Sequence, residues 1–253
     1  MKRGLELIDT HIHLLPGVDD GAKDMDIAIQ MLQIAMNDGV NEMVLTPHFN
    51  IPIYSNQKVI EQYLQLKAYI STAQIDFKIH LGNEIYLSEE DVEGVKKGMA
   101  FTMGNTRYVL LELPIHQFYP FHEIMIQDLQ KRGYKILLAH VERYDIFKKE
   151  PEKLKELIRY GSYGQITSQY IMNKKTRKRA LQLIKNGLIH IVASDGHGIE
   201  WRPPVMKMAY DIVSETFGKD CAQILFLDNP KLMIENMELA TINIKKVKRF
   251  HFF

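Results

Sequence analysis

Leu5-Glu6-Leu7-Ile8-Asp9-Thr10-His11-Ile12-His13 is an apolar run that ends in metal-binding side chains. In a strand, residues two apart share a face, so His11 and His13 point the same way and can share one ion. Similar runs follow at residues 42–48, 78–86, 107–113, 135–143, 163–167 and 190–197. Between them lie segments of 3.6-residue periodicity, at 26–38, 56–73, 121–132, 151–160 and 173–185. The first sets Ile27, Met31, Ile34 and Ala35 on one face and stops at Gly39, while Gly133, Gly161 and Gly187 follow others. Strands alternating with helices predict an α/β fold with a parallel sheet and right-handed crossovers. About seven such units predict a β/α barrel rather than an open sheet.

Chemistry-bearing residues recur at one position within these units. The later strands end in Thr46-Pro47-His48, Gly82-Asn83-Glu84-Ile85-Tyr86, Leu111-Glu112-Leu113, Ala139-His140-Val141-Glu142-Arg143 and Ser194-Asp195-Gly196-His197. Six of the seven strands therefore finish in His, Asp or Glu. In a β/α barrel the C-terminal strand ends converge on one mouth, where the active site forms. Imidazole nitrogen with carboxylate oxygen is a ligand set suited to Mn, Fe, Zn and similar ions. His11, His13, His48, Glu84, Glu112, His140, Asp195 and His197 are more ligands than one ion takes, so two or three metals are expected, with Glu84 a natural bridge. A metal pair lowers the pKa of a bridging water and stabilises attacking and leaving oxygens in phosphoryl transfer. His80, His116, His122, His190 and His251 lack this pattern and read as structural or surface residues.

Composition narrows the remaining classes. The 253 residues are 46% hydrophobic and 25% charged, which excludes wholesale disorder. Thirty-two basic against 31 acidic side chains leave no excess to neutralise nucleic-acid phosphates. No apolar run approaches the roughly 20 residues needed to span a bilayer. Met1-Lys2-Arg3-Gly4 leads directly into a strand with no signal-peptide pattern, so a cytoplasmic location is expected. Cys221 is alone, which rules out an internal disulfide or a cysteine-rich zinc site. A cysteine-phosphatase loop needs Arg six places after its nucleophile, where this chain has Leu227. With no repeat or low-complexity linker, residues 1–240 read as one domain and 241–253 as a basic-aromatic tail. That tail carries Lys245, Lys246, Lys248 and Arg249 with Phe250, Phe252 and Phe253. It reads either as a weak contact for an anionic membrane surface or as a solvated terminus.

These strand-end motifs resemble those of the polymerase and histidinol phosphatase (PHP) superfamily of metal phosphoesterases. Within it, the chain is similar to the bacterial protein-tyrosine phosphatases of capsule and exopolysaccharide loci. The narrower resemblance rests on Leu15-Pro16-Gly17-Val18-Asp19-Asp20-Gly21, the Glu84 and His140 motifs through Tyr144, Ala193-Ser194-Asp195-Gly196-His197 and Arg202-Pro203-Pro204, and covers about residues 5–235.

The resemblance implies a distorted seven-stranded TIM-like barrel holding three divalent metal ions. Manganese is the usual ion, with Fe, Zn, Co and Mg as alternatives. Carried over by position, His11, His13, Glu84 and Asp195 hold the first metal. Glu84, Glu112 and His140 hold the second, and Asp20, His48 and His197 the third. Arg143 and Arg202 grip the substrate phosphate, for which a planar guanidinium is suited. The implied substrate is the phosphotyrosine tail of a bacterial tyrosine autokinase that controls polysaccharide synthesis. A hydroxide bridging the metals attacks phosphorus in line, and Asp20 or a metal-bound water is the candidate general acid.

Other readings are a phosphatase for a small ester such as histidinol phosphate and a non-catalytic metal-binding partner of a polysaccharide synthesis complex. A nuclease is disfavoured by the neutral charge. Val141 stands where the family often has Pro, and Gly196 where larger residues are common, which is expected to reshape the pocket mouth. Tyr86, Tyr119, Tyr144 and Trp201 are candidate pocket borders. Residues 50–55, with Pro52 and Tyr54, read as a mouth loop or as an ordinary connection.

Overall fold

The computed structural model describes residues 6–242, so residues 243–253 of the tail, His251 among them, lie outside the described part. The chain opens with β1 (Leu7–Ile12), α1 (Met25–Asn37), β2 (Val40–Leu45), β3 (His48–Phe49) and α2 (Val59–Thr72). β4 (Lys78–Leu81), β5 (Glu84–Tyr86), α3 (Glu89–Lys96), β6 (Tyr108–Glu112), α4 (Pro120–Lys131) and β7 (Lys135–Leu138) follow. Then come α5 (Asp145–Lys149), α6 (Pro151–Arg159), β8 (Tyr163–Thr167), α7 (Ser168–Met172), α8 (Arg177–Lys185) and β9 (Ile191–Ala193). After the last strand stand α9 (Lys207–Phe217), α10 (Lys219–Gln223) and α11 (Asn229–Ile234).

Every strand pairing is parallel, in sheets ordered β1-β2-β4 and β3-β5-β6-β7-β8-β9. The fold is therefore α/β, with parallel-strand sheets forming a half-barrel. Backbone bonds tie the sheets together at two places. The N–H of Asp195 donates to the His11 carbonyl at 2.8 Å, and that of His13 to the Gly196 carbonyl at 2.9 Å. On the other side β2 runs on into β3 and β4 into β5, where the N–H of Gly82 donates to Leu45 at 2.8 Å.

The run at 42–48 is broken at Pro47, which has no N–H for the ladder. Buried Asn83 bridges the gap: its amide donates to the Pro47 carbonyl at 2.8 Å, and its oxygen accepts from the N–H of Phe101 at 2.7 Å. The helices cover the wall with their apolar faces. α1 begins at Asp24, whose carboxylate accepts from the N–H of Ile27 at 2.9 Å, a side-chain N-cap. It buries Ala28, Met31, Leu32 and Ala35, so the buried stripe is turned slightly from the expected one and leaves Ile27 and Ile34 half-buried. The expected helix at 173–185 starts only at Arg177, and the unforeseen α7 precedes it. Among the described residues, no helix is long and apolar enough to cross a membrane.

Candidate metal centre

The ends of β1, β6, β7 and β9, with the breaks that start β3 and β5, bring the predicted residues together. His11 lies on β1 and His13 just after it, His48 opens β3, Glu84 opens β5 and Glu112 closes β6, while His140 follows β7 and Asp195 and His197 follow β9. Nε2 of His11 and Nε2 of His13 lie 3.2 Å apart. Oε2 of Glu84 is 3.1 Å from the first and 3.2 Å from the second, and Oδ1 of Asp195 stands at 3.4 and 3.6 Å from them. Donor atoms of His13, Asp20, His48 and His197 form a second group, with Oδ1 of Asp20 3.3 Å from His48 and 3.5 Å from His197. His48, Glu84 and Glu112 form a third, in which Nδ1 of His48 is 3.3 Å from Glu84. His140 joins its edge: Nε2 lies 2.7 Å from Glu84 and 3.7 Å from Glu112.

The donor set fits divalent cations. Oδ1 of Asp195 is buried without a hydrogen-bond partner and faces imidazole nitrogens of His11, His13 and His197. A buried lone acceptor is costly unless something positive meets it. Burial alone would raise Glu84, but the imidazoles of His11, His140 and His48 hold it well below the usual carboxylate range. Burial and the neighbouring Glu84 push Glu112 up to about 7. Burial, with Arg143 nearby, pulls His140 down to about 4, and a neutral imidazole is the form that ligates metal.

A further layer of side chains orients these ligands, and sequence reasoning missed most of it. Oδ2 of Asp19 accepts from Nδ1 of His13 at 2.7 Å and from the N–H of His48 at 3.0 Å. Gln165 is buried on β8, the strand without a ligand at its end. Its oxygen accepts from the N–H of His140 at 2.9 Å and lies 3.2 Å from Nδ1 of His11. The one available signal was a glutamine within an otherwise apolar strand end. Asp9 is no part of the groups: it accepts from the N–H of Ser194 at 3.0 Å, joining the first strand to the last. Buried Glu142 accepts from the N–H and hydroxyl of Thr167, at 3.1 and 2.6 Å, and steadies the turn that carries Arg143.

Arg143 and Arg202 both reach the site and share one partner. Nη2 of Arg143 pairs with Oδ2 of Asp195, and Nη1 of Arg202 lies 2.8 Å from the same oxygen. Nε of Arg202 is buried without a partner. His140, Asp195 and Arg202 adopt φ values of 29°, 52° and 51°. Left-handed backbone is unfavourable for such residues and collects at functional sites. Of the candidate borders, Tyr144 is fully buried and its hydroxyl lies 3.2 Å from Nδ1 of His140, so it supports the site from behind. Residues 50–55 bring Tyr54 to the rim, stacked on His48 with centroids 5.4 Å apart.

The histidines set aside stand elsewhere. His80 pairs with Glu42 at 2.7 Å, His116 with Asp145 at 3.0 Å, and Nδ1 of His122 accepts from the N–H of Tyr119. Burial pushes the Cys221 thiol up to about 11, the reverse of an activated nucleophile.

Parallel strands whose edge gathers imidazoles and carboxylates, with two arginines beside them, define an α/β protein with clusters of ligands suited to metal ions. The chain belongs to the capsular polysaccharide synthesis CpsB/CapC family, whose model matches residues 7–235. It is 32% identical over 238 residues to the tyrosine-protein phosphatase CpsB of Streptococcus pneumoniae, covering 90% of this chain and 98% of the relative. It is 31% identical over 252 residues to the tyrosine-protein phosphatase YwqE of Bacillus subtilis, covering 98% and 99%. A solved structure from work on YwqE and CpsB, described as unique metal-dependent tyrosine phosphatases, matches with a TM-score of 0.88 at 30% identity, over 96% of this chain and 100% of that one. A dihydropyrimidinase from Brevibacillus agri, 13% identical with a TM-score of 0.54 over 93% of this chain and 72% of its own, shares the fold alone.

Proposed function

We propose that this chain is a metal-dependent protein-tyrosine phosphatase of capsule or exopolysaccharide synthesis, acting in the cytoplasm on phosphotyrosines of a bacterial tyrosine autokinase. The observation that carries the reading is Glu84: its Oε2 lies 3.1, 3.2 and 3.3 Å from ring nitrogens of His11, His13 and His48, and its Oε1 2.7 Å from Nε2 of His140, so its two oxygens face different ligands. His11, His13, Glu84 and Asp195 hold one divalent ion in this reading. Glu84, Glu112 and His140 hold a second, and Asp20, His48 and His197 a third, with manganese the favoured metal. Counting β2 with β3 and β4 with β5 as interrupted staves, we read the fold as a distorted seven-stranded barrel. Residues 1–240 are its single domain, followed by the tail.

Divalent cations held there supply Lewis acidity, which activates water and offsets phosphoryl charge. The chain's own residues do the rest. Arg143 and Arg202, drawn to one carboxylate oxygen, present their remaining N–H groups to the phosphoryl oxygens and neutralise charge as it spreads. His197 and His48 hold the Asp20 carboxyl far below its usual range, so it serves as a ligand rather than as a proton donor. A tyrosine phenolate, with a pKa of about 10, leaves without a strong general acid.

The test is initial rates on a phosphotyrosine peptide, a phosphoserine peptide and histidinol phosphate, with manganese and with chelator. Chelator-sensitive hydrolysis that favours phosphotyrosine is the expected result. Preference for histidinol phosphate would overturn the substrate, and no turnover with any divalent metal would overturn the enzyme.

A further inference from the structure

Trp201 is the one tryptophan of the chain, and it stands 67% exposed beside His197 and Arg202. Two contacts fix its position. The guanidinium of Arg202 lies over the indole, with Cζ 4.3 Å from the ring centroid. The His197 ring meets it edge-on, with centroids 6.1 Å apart at 82°. The loop that carries it is pinned at both ends. The N–H of His197 donates to the Arg202 carbonyl at 2.9 Å, and a Cβ on Gly196 would come within 2.9 Å of Pro204. Glycine at 196 therefore lets Pro204 seat against the loop. Tyr54 stacks on His48, so each of the two imidazoles facing Asp20 carries an aromatic ring.

We propose that Trp201 is a specificity-determining residue that packs against the aryl ring of the phosphate ester while Arg202 holds its phosphate. The inference rests on the phosphatase reading and adds a feature that separates aryl from alkyl esters. Arg202 uses one Nη on Asp195, and its buried Nε–H has no partner, which leaves a donor for an anion. An anion on that guanidinium lies beside the indole stacked upon it. The ester substituent thus reaches an aromatic surface that water otherwise covers. A phenyl ring gains aromatic packing there, whereas the single methylene of a serine ester has almost nothing to bury.

Binding separates this role from turnover. Phenylphosphonate and methylphosphonate, neither of which is hydrolysed, are titrated calorimetrically into the manganese-loaded full chain at a pH where both are dianions. The full chain is expected to favour phenylphosphonate by roughly 3- to 10-fold. Trp201→Leu should bring the two to within about twofold by weakening phenylphosphonate alone, and Trp201→Phe should restore most of the preference. Equal weakening of both ligands would make Trp201 only a support for Arg202 and overturn the proposal, as would an unchanged preference. A chain that favours phenylphosphonate but hydrolyses no phosphotyrosine peptide would sink the phosphatase reading and leave aryl recognition standing.

Discussion

Asp19 and His13 are joined at 2.7 Å through Nδ1 of the imidazole, which leaves Nε2 aimed at Glu84 and Asp195. Asp19 thereby sets the tautomer and ring plane of a residue common to two candidate metal groups. Asp19→Asn should lower metal affinity by about 10- to 100-fold in a calorimetric titration, with unchanged far-ultraviolet circular dichroism. Undiminished affinity would show that packing alone orients the ring.

Gln165 serves two ligands from a strand that supplies none. Gln165→Leu removes the acceptor of the buried His140 N–H, which should cost about 1–3 kcal/mol in urea unfolding of the metal-free chain. Manganese affinity should fall as well, because His11 loses its fixed orientation. A variant as stable as the parent would mean that another acceptor takes over.

Arg143→Ala and Arg202→Ala should each reduce kcat/KM on a phosphotyrosine peptide by about 10²- to 10³-fold. Metal content per chain, measured by plasma mass spectrometry, should stay constant. Loss of metal in step with activity would instead assign the arginines to holding Asp195.

His190 lies away from the cluster, where burial pulls its imidazole down from 6.5 to about 4. As pH falls, the unfolded chain takes this proton first, so stability is complete above about 6.5 and declines until about 4. The difference corresponds to about 3 kcal/mol between those limits. His190→Gln keeps an acceptor near the N–H of Gly164 and should flatten that part of the decline in urea midpoints. A slope identical to the parent's would trace the acid sensitivity to other groups.

Gly21 lies on the loop that brings Asp19 and Asp20 to the site. A Cβ there would fall 2.1 Å from the His13 carbonyl oxygen, a backbone atom that cannot swing aside. Gly21→Ala should therefore destabilise the fold by about 1–3 kcal/mol and reduce metal content. Full metal content in this variant would mean that the loop has another route past β1.

The site is legible in the sequence where a local period carries it. His11 and His13 share a face because they are two apart, and Glu84, Glu112, His140 and Asp195 each close an apolar run. The orienting residues leave a fainter trace, because Asp19 reaches His48 and Gln165 reaches His140 across strands whose pairing no period reveals. The break at Pro47 was readable as a proline, but its repair by Asn83, 36 residues away, was not. α3 escaped notice because its eight residues, Glu-rich at the start, are too short for a clear period. Gly196 drew attention as a departure, yet its reason lies in Pro204, which no spacing rule connects to it. Glycine spacing and periodicity found α1 but misplaced its buried stripe, because sheet packing chooses among similar faces.

The hydrogen bond between Ser194 and Asp9 spans 185 residues and lies on a seam where the first strand meets the last. His11 and His13 wait on one lip of that seam and Asp195 stands on the other. The quartet of His11, His13, Glu84 and Asp195 is therefore incomplete until residue 195 has been added. A fragment that stops short of Asp195 lacks the fourth member of that group. An ion held by that quartet would rivet the seam, and its loss would loosen the join between β1 and β9.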